Sequence, residues 1–140
     1  MSDRFFLDTN IFVYSFDKSA PKKAARAAEL IRLAIETRIG IVSYQVVQEF
    51  FNLALRRFAE PMSGAEAEQY LATTFRPLLA VHSSQGLYGQ ALQLSTGHKL
   101  AWYDSLILAS AIEGQCSVLY SEDFQHGRRF GDLRIVNPFS

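Results

Sequence analysis

Asp8, Glu49, Asp104 and Asp123 are four acidic residues far apart in the chain, each at a strand end or helix start, or on a helix face. Asp8 closes the run Arg4-Phe5-Phe6-Leu7, and Asp123 follows a second run, Ser117-Val118-Leu119-Tyr120. Asp104 opens the apolar segment from Ser105 to Ile112, and Glu49 lies on the polar side of a helical pattern. Carboxylates drawn together in a compact domain raise one another's pKa and oppose folding unless a cation offsets them. Oxygen-only ligands select hard ions, so Mg²⁺ or Mn²⁺ is expected in preference to Zn²⁺, which takes His and Cys. The set reads as a metal site of the kind that hydrolyses phosphodiesters.

Each acid also has an ordinary account. Glu49 shares a stripe with Gln45, Asn52 and Arg56, which is how the solvated face of an amphipathic helix looks. Asp104 in a first helical turn gains about 1 kcal/mol from the helix dipole or as a cap. Asp8 fits a turn after a strand, and Asp123 fits a cap on the turn into Phe124. The joint pattern, not any single residue, favours a site. Hydroxyl and amide groups stand beside the acids: Thr9 and Asn10 after Asp8, Ser105 after Asp104, and Ser121 two before Asp123. Such groups orient carboxylates or bound water. His82, His98 and His126 have no metal-ligand spacing and read as surface residues.

The elements that must position these groups follow from periodicity and capping. Arg4–Leu7 reads as a strand, followed by a short helix from Asn10 to Tyr14 capped by Thr9 or Asn10. Pro21 starts a helix whose face carries Ala24, Ala27, Ala28, Ile31, Ala34 and Ile35, ending before Gly40. Ile41-Val42 is a strand, and Ser43 caps a helix burying Val46, Val47, Phe50, Leu53 and Ala54 until Pro61. Ser63-Gly64-Ala65-Glu66 has capping-box spacing and predicts a helix through about Thr73. Leu78–Val81 is the next strand, then a helix from Ser84 to Ser95 that Gly97 breaks. Trp102–Glu113 is the most apolar helix, ended by Gly114, and the strands Ser117–Tyr120 and Leu133–Val136 close the chain. Short apolar strands alternating with helices predict an α/β fold, a parallel sheet with helices on both faces. Ligands of such sheets sit beyond the carboxyl ends of the strands, where Asp8 and Asp123 are expected.

At 140 residues, 49% hydrophobic and 20% charged, with eleven Phe, the chain predicts one globular domain over residues 1–140 with an aromatic core. Equal numbers of basic and acidic residues, 14 each, require any nucleic acid to be held by a local basic surface. Candidates are Arg56, which shares the Glu49 stripe, and Arg128 with Arg129 after the Asp123 turn. Lys18, Lys22, Lys23, Arg57, His98 and Lys99 are further candidates. Tyr14 and Trp102 are aromatics able to stack on unpaired bases, although core packing is the simpler role. A lone cysteine, Cys116, the opening Met1-Ser2-Asp3-Arg4 without an apolar leader, and the lack of a bilayer-length apolar stretch predict a cytoplasmic protein with no membrane partner.

Four strings carry a resemblance across essentially the whole chain. Phe6-Leu7-Asp8-Thr9-Asn10, Gln45-Val46-Val47-Gln48-Glu49-Phe50, Tyr103-Asp104-Ser105-Leu106-Ile107 and Leu119-Tyr120-Ser121-Glu122-Asp123 resemble the motifs of PIN-domain nucleases, specifically VapC-type toxins. The resemblance implies a three-layer α/β/α fold and an acidic site of Asp8, Glu49, Asp104 and Asp123. It further implies Asp8, Asp104 and Asp123 as metal ligands, with Asn10 and Ser121 in support. The adjacent Glu122 departs from a single-acid turn, and the motif favours Asp123 as the acid facing the metal. A Mg²⁺- or Mn²⁺-dependent endoribonuclease is implied, with RNA as substrate and a cognate antitoxin whose tail enters the groove; a homodimer is expected. The rivals are a housekeeping RNA-processing or DNA-acting PIN nuclease, a haloacid-dehalogenase-type phosphatase, a receiver domain and a catalytically silent interaction module. The phosphatase needs an acid where Asn10 stands, and the receiver needs paired acids where Leu7 precedes Asp8.

Overall fold

A computed structural model describes residues 3–140, so the first two residues of the expected leaderless start lie outside the described residues. Strands β1 (Phe5–Leu7), β2 (Gly40–Ser43), β3 (Leu79–Val81), β4 (Val118–Tyr120), β5 (Arg129–Phe130) and β6 (Leu133–Val136) form one sheet in the order β3-β2-β1-β4-β6-β5. All pairings are parallel except β5 with β6. Helices α1 (Thr9–Tyr14), α2 (Pro21–Thr37), α3 (Tyr44–Ala54), α4 (Gly64–Tyr70), α5 (Gln85–His98) and α6 (Trp102–Glu113) surround it, giving the expected α/β arrangement. β1 leads to β2 on one side and pairs with β4 on the other, so the chain reverses its winding between β1 and β4. At such a point the loops leaving adjacent strands diverge and open a crevice.

The core is built on aromatics, as the composition predicts. Phe6, Phe12, Phe50 and Phe75 are fully buried, and Phe50 meets Phe12, Phe75, Phe58 and Tyr70 at ring separations of 5.1–6.5 Å. α6 is buried from Ser105 to Ala111, as expected of a helix apolar on all sides. The Ser105 hydroxyl is spent inside that helix, donating to the Ala101 carbonyl at 2.9 Å, so it does not orient an acid.

Several local expectations are corrected by tertiary packing. The cap of α1 is Asp8, whose side chain accepts from the Thr9 amide, in place of Thr9 or Asn10. The helix begun by the capping box of Ser63 and Glu66 ends as α-helix at Tyr70 and continues as a π-helical turn, Leu71–Phe75. That turn brings Thr74 and Phe75 inward, where Phe75 meets Phe12 and Phe50. α5 runs through Gly97 and closes with Lys99 in the left-handed region, helped by the Ser95 hydroxyl on the Leu100 carbonyl. α3 ends at Ala54, so Arg56 lies past the helix and the Glu49 stripe stops short of it. β5 has only two residues, too few for a periodic signal.

Close approach requires Gly40 and leaves little room at Gly114. A Cβ on Gly40 would sit 2.3 Å from Ala34 Cβ and 2.7 Å from Phe5, and one on Gly114 would sit 2.4 Å from Ile41 Cδ1. Gly114 itself has φ −73, and the left-handed residue beyond α6 is Gln115. Gly40→Ala is expected to cost about 1–3 kcal/mol by forcing α2 off the sheet. The check is a lower urea midpoint at unchanged slope.

Candidate active site

The register of β1 on β4 pairs Phe6 with Leu119 and Leu7 with Tyr120, which brings the next residues, Asp8 and Ser121, side by side. The Ser121 hydroxyl donates to Asp8 Oδ2 at 2.7 Å and accepts from the Asp123 amide at 3.1 Å, tying the two strand ends together. Asp8 Oδ1 accepts the Thr9 amide at 2.7 Å. The Thr9 hydroxyl donates to Glu49 Oε1 at 2.8 Å, anchoring the acid of α3 to the start of α1. Asp8, Glu49, Asp104 and Asp123 line one cavity of about 380 Å³, together with Asn10, Tyr14 and Tyr103. The four sequence-predicted acids thus share a single concave site.

Its electrostatics bear the mark of crowded like charges. Asp8 is only 3% exposed, and burial, reinforced by the charges of Asp123 and Glu49, pushes its pKa up to about 7 despite the bonds from Ser121 and Thr9. Asp104 is raised by burial and by Asp123. Asp123 stands at the mouth and is raised by burial and by Glu122. Asn10 lies near enough to oppose that rise, yet neither of its buried amide atoms completes a hydrogen bond. Glu122 is held elsewhere, accepting from the Tyr14 hydroxyl at 2.7 Å and pairing with Lys23 at 3.0 Å. Burial raises the Glu122 carboxyl, but these two partners outweigh it and leave it lowered. Asp123, not Glu122, therefore borders the cavity.

The donor set is all oxygen, with a buried acid that is costly to ionise and an amide lacking partners, and these features suit a hard divalent cation. Among the described residues no three Asp, Glu, His or Cys groups are drawn close enough to hold a metal by themselves.

A family model for the PIN domain matches residues 5–129. The chain belongs to the PIN-domain family. PIN domains are nucleases, and they generally use divalent metals such as Mg²⁺. Solved PIN-fold structures resemble this one along nearly the whole chain. A toxin–antitoxin complex from Klebsiella pneumoniae superposes with TM-score 0.67 at 18% identity, covering 95% of this chain and 96% of that one. VapBC2 from Rickettsia felis, bound to a fragment of its promoter DNA, gives 0.65 at 18% over 94% and 96%. VapC20 from Mycobacterium tuberculosis, a toxin that cleaves the sarcin–ricin loop, gives 0.62 at 20% over 85% and 89%. A comparison with curated proteins found no match.

The basic residues expected at this PIN site are not among those bordering its acids. Arg56 is exposed beyond α3, and Arg128 lies 4.5 Å over the Phe130 ring and 3.5 Å from His98 Nδ1. Lys23 reaches a residue of the cavity wall, donating to the Tyr14 hydroxyl at 3.3 Å. Tyr103 was not singled out by composition or periodicity, yet it borders the acids and is 63% exposed. Its place immediately before Asp104, in the first turn of a helix whose other side is buried, was the signal available.

The Ser121 bond has a pH-dependent worth. Hydrogen bonds to charged groups contribute about 1.5–3 kcal/mol, so Ser121→Ala should destabilise the metal-free protein by about that much at pH 8, where Asp8 is ionised. At pH 5, with Asp8 neutral, the loss should be smaller. Urea unfolding at both pH values checks this, and equal losses would show that Ser121 does not serve the charged form.

Proposed function

We propose that this protein is a Mg²⁺- or Mn²⁺-dependent endoribonuclease and the toxin of a toxin–antitoxin pair, working in the cytoplasm as one catalytic domain. The observation that carries the reading is the convergence of Asp8, Glu49, Asp104 and Asp123 on one cavity at the reversal point of the sheet, in a PIN domain. Asp8, Asp104 and Asp123 are the proposed ligands, with Glu49 beside them, and they would have to draw closer around a cation, since no three such groups among the described residues stand close enough to hold one. When bound, the cation supplies an activated water for in-line attack and stabilises charge on the phosphate. The chain's own groups do the positioning. Ser121 fixes Asp8 and the Asp123 loop together, and Thr9 directs Glu49 at the same cavity. Asn10 offers unpartnered amide atoms to water or phosphate. No side chain forms a bond to the substrate, and the expected products carry a 5′-phosphate and a 3′-hydroxyl. Cys116, buried with its thiol pushed up to about 12, takes no part.

The toxin assignment draws support from the toxin–antitoxin structures that share the fold. Its partner would be an antitoxin that places a basic side chain among the acids, and a homodimer is the expected form of the free protein. The primary test is hydrolysis of single-stranded RNA by pure protein with Mn²⁺ or Mg²⁺, abolished by chelator and restored by added metal. Activity that survives chelation would refute the mechanism. Expression without the antitoxin should arrest growth. Unimpaired growth with folded, RNA-active protein would favour a housekeeping RNA-processing role.

A further inference from the structure

Beside the acidic cavity lies a second, smaller one of about 200 Å³, at the carboxyl ends of β2 and β3. Tyr103 borders both, and its carbonyl accepts from Gln45 Nε2 at 3.1 Å, which pins the wall between them to α3. Ser43 lines this second cavity; the residue is 2% exposed, and its hydroxyl has no hydrogen-bond partner. Although Ser43 precedes α3 in the cap position, its side chain makes no cap bond. An unpaired buried hydroxyl is costly, so one facing a cavity is a group waiting for a ligand. Around it stand flat surfaces and an amide: the Tyr44 ring stacks on His82 at 4.6 Å and 26°, Trp102 forms part of the wall, and the exposed Gln48 carries both donor and acceptor.

We propose that this cavity receives one unpaired nucleobase of the substrate strand, adjacent to the phosphate at the acids, and so sets sequence preference at the cut. The proposal rests on the ribonuclease reading above. A base has the two properties the cavity answers, a planar face for aromatic stacking and an edge of donors and acceptors for Ser43 and Gln48. The volume is too small for a helix or strand of a partner protein. Single-stranded RNA is favoured because a base inside a duplex has both its faces and its pairing edge occupied.

The test is an NMR titration of the protein in chelator with the trinucleotides of A, C, G and U, so that binding is read without cleavage. One base should bind about tenfold tighter than the weakest while shifting the Ser43, Gln48 and His82 signals, as expected for one hydrogen bond made in one case and missing in the other. Ser43→Ala and the surface change Gln48→Ala should each reduce that preference to about threefold or less. Absent shifts at these residues, equal affinity for all four, or a preference untouched by both changes would overturn the subsite. A parallel digestion of random-sequence RNA with Mn²⁺ separates the two ideas. No cleavage by the wild type would refute the ribonuclease reading, leaving the titration to judge the pocket. Cleavage with base bias undiminished in both variants would refute the subsite alone.

Discussion

Asp8→Asn is expected to lose RNA hydrolysis by about 10³-fold or more while the protein remains folded. The side chain lies at the junction of β1 and β4, and the asparagine keeps its shape. Its carbonyl can still accept the Thr9 amide and its NH₂ can meet the Ser121 hydroxyl, so the substitution removes charge with little else. Losing one preorganised electrostatic group typically costs about 10²–10³ in rate, and a weakened cation adds to that. Asp104→Asn and Asp123→Asn should fall comparably. Glu122→Gln is the discriminating control. Its carboxylate serves Tyr14 and Lys23 on a partly exposed surface, so activity should stay within about tenfold of wild type. A Glu122→Gln loss as deep as that of Asp123→Asn would reverse the assignment of the two neighbours. The Asp8→Asn protein purified in parallel also measures contaminating ribonuclease.

The second large effect is on stability, and it runs opposite to activity. Asp8 has an ordinary value of 3.8 and is pushed up to about 7 in the fold, chiefly by burial. The folded protein holds this proton more tightly than the unfolded chain does, so the neutral acid favours folding. That contribution is whole below pH 3.8, declines as pH rises, and is gone above about pH 7. At 1.36 kcal/mol per pKa unit it amounts to about 4 kcal/mol. In chelator, wild-type stability should therefore fall across this window relative to Asp8→Asn, which has no such proton. At pH 8 the variant should be the more stable protein. Added Mn²⁺ should narrow the gap. A ligand at a hundred times its dissociation constant stabilises by about 2.7 kcal/mol, and wild type should gain this while Asp8→Asn gains far less. Urea unfolding with and without Mn²⁺ measures both. Equal metal-induced gains would show that Asp8 is not a ligand.

Alternating short apolar strands and amphipathic helices determined the α/β class, because burial of one face per helix and both faces per strand is written in residue periodicity. Asp8 and Asp123 were legible for the same reason: a charge that directly follows a buried strand marks its end, and strand ends of parallel sheets converge. The capping box at Ser63 was equally local, needing only four residues. What lay beyond reach depended on partners distant in sequence. The pairing of β1 with β4, which sets Ser121 on Asp8, is a choice of strand order among several compatible with the same pattern. The turning of Glu122 toward Tyr14 and Lys23 separates two adjacent acids that the chain presents alike. Arg56 looked continuous with the Glu49 stripe until the helix ended at Ala54, and Arg128 was drawn to Phe130 and His98 by strand pairing too short to predict. Gly114 was expected to serve backbone conformation and instead makes room for Ile41. The unsatisfied hydroxyl of Ser43 exists only because the sheet buries it and the surrounding helices leave a gap beside it. Sequence records what each segment prefers for itself, whereas the environment of a side chain is set by which segments meet, and the chemistry of buried acids and orphan hydroxyls comes from that meeting.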